Sequence, residues 1–167
     1  MSITEDLDKI KQQEQALRFS KFDEADAWAL GCTMREAAAA EKLPLVIDIR
    51  IGIRPLFYAA LPGTTPENPD WVRRKVNTVL RFLKSSYAVG LEYKSQGKAF
   101  DSSRGIDIMN YAQAGGGFPI HIEGTGVVGA ITVSGLTQRD DHEFVVKHVC
   151  AFLEKDQSQL ALGPDDP

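Results

Sequence analysis

The sequence predicts an α+β fold, a five-stranded antiparallel sheet of the profilin or PAS kind with helices packed against it. Three observations predict it. Five short segments, 17–22, 45–51, 55–61, 118–123 and 127–134, carry the alternating or β-branched pattern of strands. Four of them form two pairs separated only by turns, and such pairs run antiparallel, because parallel pairing needs a crossover after every strand. Helical periodicity fills the intervals. With 167 residues, 43% of them apolar, the chain can bury one sizeable core, so 1–167 is read as a single domain.

Residues 1–15 are polar with Leu7 and Ile10 at helical spacing, which predicts an N-terminal helix packing lightly or only against a partner subunit. In 17–22, Leu17 and Phe19 alternate with Arg18 and Ser20, the pattern of a short strand. Asp23 is an N-cap for a helix running through the alanines at 37–40 and ended by Pro44. In "LVIDIRI" Leu45, Ile47, Ile49 and Ile51 share a core face, while Val46, Asp48 and Arg50 share a partly wet one. "PLFYAAL" is the hairpin partner, apolar on both faces and read as central or covered.

Asn68, Pro69 and Asp70 mark a helix start, followed by a buried stripe of Val72, Val76, Val79, Leu80 and Leu83. A second helix spans Ser86 to Gln96, and "DIMNYAQA" suggests a short one. Asp140 and Glu143 have capping-box spacing ahead of a last helix carrying Phe144, Val145, His148, Val149, Phe152 and Leu153. The tail 156–167 has no core to join and is expected to be mobile.

Gly124, Gly126 and Gly129 spell the G-x-G-x-x-G of a dinucleotide cradle. The cradle needs a helix after its glycines, yet Val127, Val128, Ile131, Thr132 and Val133 are β-branched. A hairpin, "FPIHIE" turning at Gly124-Thr125-Gly126 into "VVGAITVSG", accounts for them, with Gly129 marking a bulge or a close approach of another backbone or a ligand.

Net charge is −4, which argues against nucleic acid as a partner. No window approaches the run of about 18 apolar residues that would span a bilayer, and the N-terminus lacks a signal peptide's apolar run, so no membrane insertion and a cytoplasmic location are expected. Cys32 and Cys150 are read as reduced, buried thiols.

"GGGFPIHIEGTGVVGAITVSG" resembles the G-G-x-P-I and G-x-x-v-G-A-i-x-V-S-G signature of the haem-degrading or haem-binding family that includes GlcG, HbpS and the C-terminal domain of PduO. "NPDWVRRKVNTVLRFLKSSYAVG" and "DDHEFV" resemble its short UPF0303 branch. The likeness runs from about Leu17 to Phe152. It implies haem or a related tetrapyrrole as ligand and a homo-oligomer, while members share fold and assembly more securely than any one activity.

His121, on a strand face with Glu123, is either solvent-facing or a haem ligand. His142 either assists a cap or stands at a pocket mouth as an axial ligand. His148 reads as a packed core histidine, and no Cys or His cluster has the spacing of a metal site. Arg73, Arg74, Lys75, Arg81 and Lys84 are placed on the solvent side of one helix, as a solvated face or a rim for a small anionic ligand or haem propionate. The family's corresponding helix borders a groove, which raises Arg74 and Lys75 above the others. Gly116, Gly117 and Gly129 suggest tight backbone contacts serving a ligand or a subunit interface. Asp48 and Arg50 are read as a structural ion pair, Ser134 lacks a nucleophile elbow, and Tyr87 lines a pocket or fills the core.

No acid, base and nucleophile set declares itself. The leading reading is a homo-oligomeric small-ligand-binding protein, with haem as possible cofactor. An oligomeric scaffold or adaptor binding other proteins and a haem-degrading enzyme are the alternatives.

Overall fold

The structure, a computed structural model, describes residues 2–163. Its elements run α1 (Ile3–Ala16), α2 (Glu24–Ala40), β1 (Val46–Ile51), β2 (Arg54–Ala60), α3 (Glu67–Phe82), α4 (Ser86–Ser95), β3 (Gly117–Ile122), β4 (Gly126–Ser134), α5 (Gln138–Phe152) and α6 (Gln157–Leu160). The sheet has four strands, all antiparallel, in the order β2-β1-β4-β3. The glycine-rich segment is the expected hairpin, with Gly124 and Gly126 at positive φ in its turn.

Alternation along β1 builds a layer on each side of the sheet. Leu45, Ile47 and Ile49 meet Leu30 and Met34 of α2 and Val145 and Val149 of α5 in the main core. Val46 points the other way, into a second cluster with Val72, Val76 and Val79 of α3. The face expected to be partly wet is therefore covered: Val46 and Asp48 are both buried, and Arg50 holds the Asp48 carboxylate at 2.7 Å.

The expected fifth strand is reduced to one parallel bridge. Phe19 N–H donates to His121 O and Phe19 O accepts from Glu123 N–H, both at 2.8 Å. Leu17 caps α1 and Asp23 caps α2, which leaves too few residues between them to run alongside β3. "PLFYAAL" forms an edge strand rather than a central one, with Phe57 buried and Tyr58 half exposed. Pro55 carries the signal, since proline within a strand belongs at an edge.

Other corrections are local. Pro66 holds the N-cap position of α3 without a side-chain bond, and Asn68 Oδ1 accepts from Thr65 N–H at 2.9 Å instead. Leu83 leaves the buried stripe as an exposed left-handed C-cap. Thr137 caps α5, so Asp140 is its third residue and His142 lies beyond the first turn. No helix forms at 107–114, where α3 satisfies the chain's carbonyls: Arg73 reaches Met109 O at 2.7 Å, Asn77 reaches Asn110 O at 2.8 Å and Thr78 reaches Ala112 O at 2.9 Å.

α1 docks within the chain, rather than lightly or only on a partner. Ile10 is buried with Tyr87, Ala88 and Leu91, and Gln13 Nε2 donates to Leu160 O at 2.8 Å. Leu160 anchors α6 in the main core, so the expected mobile tail is tied down at that residue, with Asp156, Ser158 and Gln159 exposed around it. The remainder of that tail, 164–167, lies outside the described residues.

Candidate functional site

A polar cleft of about 260 Å³ opens where α3, the end of β4 and the start of α5 converge, lined by Asn68, Trp71, Ser134, Gln138, Lys75 and Asp141 among others. Lys75 is not on the solvent side of α3. It falls three residues after Val72 and four before Val79, inside the buried stripe, and is only 3% exposed. Its ammonium donates to Val133 O at 3.0 Å and to Asp141 Oδ2 at 2.9 Å. Asp141 Oδ1 accepts from Leu136 N–H at 3.0 Å, fixing the turn between β4 and α5.

Burial pushes the Lys75 ammonium below its ordinary pKa, opposed by the attraction of Asp141. Burial likewise pushes the Asp141 carboxyl up, opposed by Lys75. Each charge is thus tolerated in the interior because the other is there.

The glycine run makes room for this pair. A Cβ on Gly116, whose φ is +120°, would stand 2.7 Å from Lys75 Nζ. One on Gly117 would stand 2.9 Å from Val79 Cγ2, and Gly117 N–H donates to Ser86 Oγ at 3.0 Å. Gly116 and Gly117 therefore bring the chain between α3, α4 and α5, directly behind Lys75.

Other expected residues lie elsewhere. Arg74 is beside the cleft but occupied: its guanidinium stacks 4.0 Å over Trp71, pairs with Asp70 at 3.1 Å and reaches Ile108 O at 3.2 Å. Arg73 and Arg81 donate to the 104–110 loop, and Lys84 pairs with Glu92. Gly129 is packed against the backbone of β1 at Arg50, which fills the space a side chain would need. His121 sits near the far end of β3, beside the Phe19 bridge.

His142 follows Asp141 but turns inward, fully buried between Tyr87 and Phe118, with Nε2 2.7 Å from Gln13 Oε1. Gln13 spends its amide on Glu143 and Leu160, so its oxygen faces the ring and Nε2 carries the proton. Burial, with Arg139 nearby, lowers the ring's pKa to about 3.

Haem has carboxylates and an iron, and the residues fit only the first. Lys75 is a buried cation at the floor of a cleft. No histidine lines that cleft or the larger cavity between α1, α4 and the start of α5. Among the described residues no group of three or more His, Cys, Asp or Glu could hold a metal ion, and no helix is long and apolar enough to cross a membrane.

Sequence reasoning missed Asp141, Trp71 and Asn68 as parts of one site. Asp141 was hidden in an apparent capping box. The spacing of Lys75 within the apolar stripe was the available signal.

The solved structure of the Ybr137w protein superposes with a TM-score of 0.81 at 30% identity, covering 89% of this chain and 88% of that one. A solved complex of PduOC with haem superposes with a TM-score of 0.64 at 16% identity, covering 78% and 94%, which shows a shared fold. A UPF0303 protein of Mesorhizobium japonicum is 46% identical over 165 residues, 99% of both chains. The pattern of the family described as haem degrading protein HbpS-like matches residues 22–150. The chain therefore belongs to the HbpS-like haem-degrading protein family, among its UPF0303 members.

Proposed function

We propose that the protein is a homo-oligomeric, non-catalytic binder of a carboxylate-bearing tetrapyrrole, held by its carboxylates over Lys75. The observation that carries this reading is the Lys75 ammonium. An ammonium has three donors, two are used by Val133 O and Asp141, and the third is left for a ligand in the cleft that the side chain lines. Trp71 at the mouth, backed by Arg74, offers a flat aromatic face. The HbpS-like family and the haem complex of PduOC support haem as that tetrapyrrole. Two free cysteines fit the reducing cytoplasm.

The test is a parallel titration with haemin and with iron-free protoporphyrin IX. Both should bind, because both carry propionates. Removing the buried pair in Lys75→Met/Asp141→Leu, which leaves neither charge unpaired, should weaken both by about tenfold or more, the worth of one charge-assisted hydrogen bond. His121→Ala should leave both affinities unchanged. Binding of haemin alone, lost in His121→Ala or His142→Ala, would replace this reading with iron ligation; binding of neither porphyrin would end it.

A further inference from the structure

A cavity of about 680 Å³ is distinct from the cleft over Lys75. It lies between the first turn of α1, α4, the segment after α4 and the start of α5, and Gln138 is common to both. That volume is within the range of sites for small organic molecules, about 300–1,000 Å³.

Its chemistry is one-sided. Among the described residues Asp6 supplies the only carboxylate in its lining, and Arg139 donates to both its oxygens at 2.8 and 3.0 Å. Gln113 spends its oxygen on Phe100 N–H at 3.0 Å, which leaves its amide as a donor. Lys94 and Lys98 stand exposed at the mouth, where Lys98 is tied only to the neutral Gln96 at 2.8 Å. The start of α5 enters the same wall through Thr137, Gln138 and Arg139, while the first-turn acids Asp140 and Asp141 are not in the lining. Against these donors stand Ile3 and Leu91, which give the cavity an apolar side. Among the described lining residues Asp6 and Arg139 face each other as opposite charges, and Lys94 and Lys98 are the further charged groups, in a chain whose net charge is −4.

We propose that this cavity binds an organic polyanion of metabolite size, bearing phosphate groups or several carboxylates. Its charged groups meet Lys94 and Lys98, and its hydrocarbon portion lies on Ile3 and Leu91. The site is separate from the one over Lys75 and stands or falls without it.

Calorimetric titration of the full chain with pyrophosphate and with citrate tests this, the two probes separating phosphate from carboxylate recognition. At least one should bind with Kd below about 1 mM, and Lys94→Glu/Lys98→Glu should weaken it by about tenfold or more. Both lysines are exposed, so the thermal midpoint should hold. Reversing two exposed cations outside the cavity, Arg35→Glu/Lys155→Glu, should leave Kd unchanged. The proposal is overturned if neither anion binds, if both charge reversals weaken binding alike, or if binding survives in Lys94→Glu/Lys98→Glu and is lost in Lys75→Met/Asp141→Leu.

Discussion

His142 is a neutral ring with its Nδ1 buried and unbonded, and this has a consequence for stability. The folded ring titrates at about 3 and the unfolded one near 6.5, so below 6.5 the unfolded chain takes up a proton that the folded chain refuses. Stability is lost as pH falls through that window, at up to about 1.4 kcal/mol per pH unit. Asp141, Glu14 and Glu143, raised by burial, act in the opposite direction at the acid end. Comparison with His142→Phe isolates the ring: urea midpoints between about pH 7 and about pH 4 should fall more for the wild type than for the variant. Parallel curves would refute the assignment. At this scale the sequence was legible where periodicity was the cause and illegible where partners were. His148 reads as core from its apolar neighbours and is buried. Lys75 and Asp141 reach the interior only because each supplies the other's countercharge across 66 residues, which no local pattern records.

The hairpin, β1 and the stripe of α3 were readable because each follows from alternation or 3.6-residue spacing within one segment. The docking of α1 was not, because it depends on polar groups from distant elements. Asp6 on α1 takes both hydrogen bonds from Arg139 on α5, and Gln13 joins α1 to His142 and Leu160. Asp6→Ala removes the two hydrogen bonds that Arg139 donates to that carboxylate, while those to Tyr87 Oη and Gly163 O remain, and should cost about 1–3 kcal/mol. Hydrogen exchange should accelerate across residues 3–16 while β1 and β4 stay protected. Asp6→Leu/Arg139→Met removes both charges and should recover most of the loss. Unchanged exchange in α1 for Asp6→Ala would show that Ile10 and its apolar neighbours hold the helix without the ion pair.

The two edges of the sheet are treated differently, and this bears on the proposed homo-oligomer. The β3 edge is blunted by the Phe19 bridge, which takes up His121 O and Glu123 N–H. Among the described residues the β2 edge pairs only with β1, and large apolar side chains crowd it: Ile53 is 86% exposed, Trp28 63% and Tyr58 50%. Trp28 packs edge-on against Phe57 of β2, so the patch spans helix and strand. An open edge with an apolar surround invites pairing, and native proteins cover it or charge it. Here Arg54 is already engaged by Glu24 at 2.8 Å, leaving little charge to guard the edge. The expected cover is the same edge of a second copy, placed about a two-fold axis so that the patch meets itself. Light scattering of the wild type should give a multiple of the monomer mass, and Trp28→Glu/Tyr58→Lys should reduce it. Ile108→Lys/Met109→Lys, on the exposed loop beside α3, should leave the mass unchanged. A wild type that scatters as a monomer would refute the homo-oligomer, and loss of assembly in the loop variant alone would move its interface from β2 to the loop beside α3.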